Sequence, residues 1–127
     1  MELKFKGEEL TRSELSEILQ HFIITNHAIK RLDERTNILT RINDRIDFRT
    51  TIRNIKRDIN SNLLISYFNT DGTVNVAIDL YHYYVFENRD NCWILKTFKE
   101  KSWNGITILD KRLLAQQGKE GFYRYGG

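Results

Sequence analysis

The apolar pattern of this chain changes period after Asn62. Upstream, large apolar residues recur at the roughly 3.6-residue spacing of a helix; downstream they alternate, as strand residues do. Thr11-Arg12-Ser13-Glu14 has the form of a capping box and predicts a helix over about 12–22, with Leu15, Ile18, Leu19 and Phe22 on one stripe. Thr25 or Asn26 can cap a second helix over 26–35, whose apolar side is Ala28, Ile29 and Leu32. Asp47 can cap a third over 47–60, with Phe48, Ile52, Ile55 and Ile59 aligned, and 36–46 reads as loop or short helix.

Beyond the change of period, Leu63, Ile65 and Tyr67 alternate, Asn69-Thr70-Asp71-Gly72 turns the chain, and Val74, Val76 and Ile78 alternate back. A loop of two or four residues would put both runs on one face of the hairpin 63–78. A second hairpin spans 81–98 around Asn88-Arg89-Asp90-Asn91, and a short helix over 109–117 ends at Gly118. The expected fold is one α+β domain over 1–127: N-terminal helices packed on a four-stranded antiparallel sheet, with a short C-terminal helix.

The 127 residues fit one domain, and 40% apolar with 29% charged residues suits a globular chain. Proline is absent, while isoleucine (15) and asparagine (11) are plentiful, which fits an AT-rich source such as a mobile element. Cys92 is the only cysteine, so an internal disulfide and a multi-cysteine zinc site are excluded. No apolar stretch approaches the roughly 20 residues of a membrane span, and the N-terminus does not read as a signal peptide, so a cytoplasmic protein is expected. The net charge of +3 is mild but unevenly placed. Residues 30–57 carry nine basic against four acidic side chains, whereas residues 1–29 carry three against five.

Helical spacing stacks His27, Arg31 and Arg35 on one face and turns Ala28 and Leu32 to the core. One titratable imidazole beside two permanent cations is the equipment of metal-free phosphodiester cleavage in RNA: a base for the 2′-hydroxyl proton and cations for the phosphorane. The competing reading is a solvated face on which Arg31 and Arg35 pair with Asp33, Glu34 or a neighbouring element.

The pattern His27-Ala28-x-x-Arg31-x-x-x-Arg35, followed by a helix and an antiparallel sheet, resembles small bacterial and phage RNases and toxins of the class containing barnase, EndoU, colicin nuclease domains and RelE-like toxins. In that class a His-Ala-x-x-Arg helix commonly packs on the sheet, and a late strand often carries a hydroxyl residue. Thr97, within Trp93-Ile94-Leu95-Lys96-Thr97, matches that position, with Lys96 as its neighbour. The similarity covers roughly residues 22–99 and departs from the class at 36–58 and at the C-terminal helix. It implies RNA as substrate, no cofactor or metal, and a neutralising antitoxin-like protein as partner.

His82 is a second candidate. With a four-residue loop in the second hairpin it would lie opposite Thr97 and could supply the acid; alternatively it fills the core with the aromatic cluster around it. His21 reads as a cation at a helix C-terminus. Arg41, Arg45, Arg49, Arg53 and Arg57 recur every fourth residue, with Lys56 beside the last. On a helix they would form a ladder suited to phosphates or to an acidic protein groove, or simply a solvated face. Most of the aromatics clustered from Tyr81 onward read as packing, Trp103 in its polar loop as an exposed contact residue, and Cys92 as a small packing residue. Two functions follow: a metal-independent endoribonuclease using His27, Arg31, Arg35 and His82 or Thr97, or a non-enzymatic mobile-element inhibitor that blocks a host nuclease through its arginines.

Overall fold

The structure, a computed structural model, describes residues 8–101. Helix α1 is Arg12–Gln20, and both halves of its capping box form: Glu14 N–H donates to Thr11 Oγ1 at 3.1 Å and Thr11 N–H to Glu14 Oε1 at 2.8 Å. It stops two residues earlier than the pattern predicts. Phe22 fits the helical stripe, but Phe22–Ile24 forms a strand, β1, and His21 is the C-cap of α1. Helix α2 is Asn26–Arg35, capped by Thr25, and burial of Ala28 and Leu32 fixes its rotation.

The stretch before the third helix holds a two-strand ribbon, β2 (Arg41–Ile42) and β3 (Arg45–Ile46). Asn43 and Asp44 between them both have positive φ (53° and 65°), the backbone of a tight turn that asparagine and aspartate tolerate. Helix α3 is Phe48–Asn62 and buries Thr51, Ile55 and Ile59. Its cap is the Asp47 carboxylate, which is held below the usual carboxyl range by hydrogen bonds from the Thr50 hydroxyl and N–H.

Among the described residues the main sheet has five strands: β1, β4 (Ile65–Phe68), β5 (Val74–Ala77), β6 (His82–Arg89) and β7 (Cys92–Glu100), in the order β1-β7-β6-β5-β4. It is mixed rather than antiparallel throughout, because β1 runs parallel to β7, with Phe22 against Trp93 and Ile24 against Leu95. The fold is α+β with three helices among the described residues. Residues 8–10 run along the far edge: Leu10 N–H donates to the Ser66 carbonyl and Phe68 N–H to that of Glu8. The expected helix over 109–117 lies outside the described residues. No described helix is long and apolar enough to cross a membrane.

Both hairpins differ from expectation in register. In the first, Phe68 pairs with Val74, so the connection has five residues, and Gly72 (φ +89°) supplies its left-handed position. An odd connection reverses facing. Ile65 and Tyr67 therefore join Ala77, Tyr83 and Val85 on one sheet face, while Val74, Val76 and Ile78 lie under the helices with Tyr84, Phe86, Leu95 and Phe98. The buried Tyr84 hydroxyl ties the helical layer to the sheet by donating to Asp58 Oδ2 at 2.6 Å.

In the second hairpin Arg89 pairs with Cys92, leaving only Asp90 and Asn91 in the turn, both at positive φ (54° and 62°). The ladder then slips between Val85 and Phe86: Phe86 faces Leu95, but Val85 faces Thr97. Lys96 is the extra residue of a β-bulge. His82 consequently lies opposite Glu100, not Thr97.

Candidate functional site

Strand β1 pairs with β7 only as far as Leu95, and α2 takes over the edge of β7 from there. Thr25, at the junction, is used three times. Its N–H donates to the Leu95 carbonyl at 3.1 Å, its hydroxyl reaches the carbonyls of Leu95 and Lys96, and its Oγ1 accepts the Ala28 N–H at 3.0 Å. At the other end of the helix Arg35 Nη1 donates to the Phe98 carbonyl at 2.9 Å. Helix α2 is thus pinned at both ends to the strand it flanks.

The result is a cleft of about 240 Å³ lined by His27, Arg31 and Arg35 from α2 and by Thr97, Lys99, Glu100 and Lys101 from β7 and the residue after it. Four of the five residues singled out in the sequence for catalysis meet here. His27 is exposed and Arg31 half-buried. Arg31 also pairs with Glu34 at 2.8 Å, one of the contacts expected of a solvated face, but the pair is largely open to water and holds the guanidinium only weakly. Thr97 is buried, with 8% of its surface exposed.

His82 is the exception, because the register removes it from Thr97. It is only 1% exposed, stacked on Phe98 with ring centroids 5.9 Å apart, and its Nδ1 lies 2.8 Å from both carboxylate oxygens of Asp79. Nε2 lies 3.2 Å from Glu100 Oε2, so His82 reaches the cleft through Glu100. Burial alone would depress the imidazole, but the hydrogen bond and charge of Asp79, with those of Glu100, outweigh it and raise the pKa above its ordinary value. Asp79 Oδ1 also accepts the N–H groups of Tyr81 and His82, so this cluster locks the turn that leads into β6.

The arginine ladder is broken. Arg41 and Arg45 sit on the β2–β3 ribbon, because Asn43-Asp44 makes a turn where a continuous helix would be required. Arg41 is engaged with Asp33 through two contacts of 3.2 Å, which raise its pKa further. Arg49, Arg53 and Arg57 remain exposed on α3, while half-buried Lys56 lines an apolar groove with Ile23, Phe48 and Ile52. Trp103 lies outside the described residues. Among the described residues no group of three or more His, Cys, Asp or Glu is arranged to hold a metal ion.

Sequence reasoning missed Lys99, Glu100 and Lys101, which follow Thr97 on the strand edge faced by α2. The signal was the Lys-x-x-Lys-Glu-Lys run itself; its place depends on the bulge. Lys99 has its ammonium pKa lowered by burial and by the charges of Lys101 and Lys96. The cleft therefore gathers an imidazole, a carboxylate, a hydroxyl and several cations. No protein-family model, curated protein or solved structure matches the chain.

Proposed function

We propose that this protein is a metal-independent endoribonuclease of the toxin type. The observation that supports the reading is the convergence of His27, Arg31, Arg35 and Thr97 on one cleft, from two elements 70 residues apart that Thr25 ties together. In this reading His27 takes the proton from a ribose 2′-hydroxyl, whose oxygen attacks the adjacent phosphorus. Arg31 and Lys101 offset the charge that develops on the non-bridging oxygens, and Thr97 donates a hydrogen bond there. Burial, with the charges of Lys101 and Lys96, makes Lys99 a readier acid, suited to protonating the leaving 5′-oxygen. Arg35, committed to the Phe98 carbonyl, positions α2 and adds its charge to the rim.

This chemistry leaves one fragment ending in a 2′,3′-cyclic phosphate and the other beginning with a 5′-hydroxyl. End-group analysis of a defined single-stranded RNA incubated with the protein tests it. A cyclic phosphate supports the mechanism, and a 5′-phosphate product contradicts it. Growth arrest on induced expression, relieved in His27→Ala, would mark the protein as a toxin that needs a neutralising partner. Unimpaired growth together with intact RNA would favour the inhibitor reading, in which exposed Arg49, Arg53 and Arg57 grip an acidic partner.

A further inference from the structure

The bulge that displaces His82 has a second effect. On a regular strand Lys96 and Thr97 would point to opposite faces. With Leu95 and Phe98 both held in the helix-side core, the bulge turns Lys96 and Thr97 to the same side, off the face that carries that core. There, with Lys99 and Lys101, they form one wall of a cavity of about 410 Å³. The opposite wall comes from β4, β5 and the turn between them, including Tyr67, Asn69, Asp71, Thr73 and Asn75.

This wall is polar and preset. Asn69 Nδ2 donates to Thr73 Oγ1 and to Asn75 Oδ1, both at 2.9 Å, and Asn75 Nδ2 donates to the Tyr67 hydroxyl at 3.0 Å. Thr73 and Asn75 are more than nine-tenths buried, so these groups hold fixed directions rather than moving with solvent. Burial raises the phenol pKa of Tyr67 and of Tyr83, the latter to about 12. Among the described residues three lysines face one carboxylate, Asp71, which is occupied by the Thr73 N–H and hydroxyl. The surplus positive charge calls for an anion, and the amides and hydroxyls opposite suit a ligand with donors and acceptors of its own.

We propose that this cavity is a nucleotide subsite, holding one nucleotide of single-stranded RNA with its phosphate on Lys96 and its polar edges on Asn69, Thr73 and Asn75. Thr97, Lys99 and Lys101 line both this cavity and the cleft of His27, so a strand can pass from one to the other across the edge of β7. The subsite rests on the cleavage reading only for that path; the binding itself does not require it.

The test uses a fluorescein-labelled 2′-O-methyl RNA decamer, which has no free 2′-hydroxyl to attack, with the full chain. Lys96 is exposed and lies outside the cleavage cleft, so Lys96→Ala and Lys96→Glu are expected to leave the fold in place; because the Lys96 charge also acts on Lys99, these variants are read by binding and cleavage is read on the wild type. Binding is expected to weaken about fivefold or more, and the salt dependence of log Kd to fall by about 0.7 for the lost phosphate contact. The side-chain amide resonances of Asn69 and Asn75 are expected to shift as the decamer is added. Cleavage of unmodified RNA is followed in parallel. Lys96-dependent binding without any cleavage supports the subsite and overturns the nuclease reading. Cleavage by the wild type, with binding indifferent to Lys96 and the amides unmoved, overturns the subsite and leaves the nuclease reading standing. Failure to bind the decamer at all also overturns the subsite.

Discussion

The Thr25 hydroxyl lies 3.0 Å from the carbonyl oxygen of Lys96, 71 positions away, while its oxygen caps the first turn of α2. One side chain thus fixes the start of the helix that carries His27 to the bulge that sets the facing of Thr97. Thr25→Ala is expected to lose the cap and the cross-link together, lowering stability by about 1–2 kcal/mol. Thr25→Ser should recover most of it. Urea unfolding checks both; equal stability of Thr25→Ala and the wild type would remove this link.

Arg31 and Arg35 share a helix face but have different work. Arg35 donates to a backbone carbonyl on β7 and Arg31 pairs with an exposed Glu34. Arg31→Ala is expected to change stability by no more than about 0.5 kcal/mol while lowering RNA cleavage about 100-fold or more. Arg35→Ala should destabilise by about 2 kcal/mol, the scale of a hydrogen bond from a charged donor. Unfolding curves and cleavage rates for the two variants separate the roles.

The buried imidazole of His82 makes stability depend on pH. Its folded pKa stands above the ordinary 6.5, because Asp79 and Glu100 outweigh the opposing effect of burial. The unfolded chain must therefore lose protons at lower pH than the folded one. The resulting stability is fully present below about 6.5 and is lost as pH rises through the folded value. The stability gap between wild type and His82→Gln, followed by denaturant titration from pH 5 to 9, is expected to be widest at the acid end. A gap that does not change with pH would contradict this.

Asp90 and Asn91 both occupy the left-handed region, which an Asn-Gly pair occupies with less strain. The double change Asp90→Asn, Asn91→Gly is expected to raise stability by about 0.5–1 kcal/mol without altering cleavage. Thermal melts and RNA cleavage assays on the double variant test both halves of this expectation.

Helix α2, the caps Thr11 and Asp47, Thr25 as one of two candidate caps, and the turn at Gly72 were legible in the sequence because each depends on neighbours a few positions apart. Strand β1 was not. Phe22 satisfies the helical stripe of α1 as well as a strand, and only the distant β7 decides between them. Register was lost for a similar reason: one added residue in the first connection, and one bulged residue at Lys96, each reverse facing without changing composition. Helical spacing put His27, Arg31 and Arg35 on one face, whereas Thr97 came only from the resemblance to small RNases and toxins; all four line one cleft. Lys99, Glu100 and Lys101 required knowledge of which strand edge α2 covers.

Metal-free RNA cleavage by His27 is measured by incubating total RNA with purified protein in EDTA, wild type beside His27→Ala. His27 is exposed, so the variant should fold as the wild type does. The account predicts degradation by the wild type and its loss in the variant. Intact RNA with the wild type, or cleavage undiminished in His27→Ala, would contradict it.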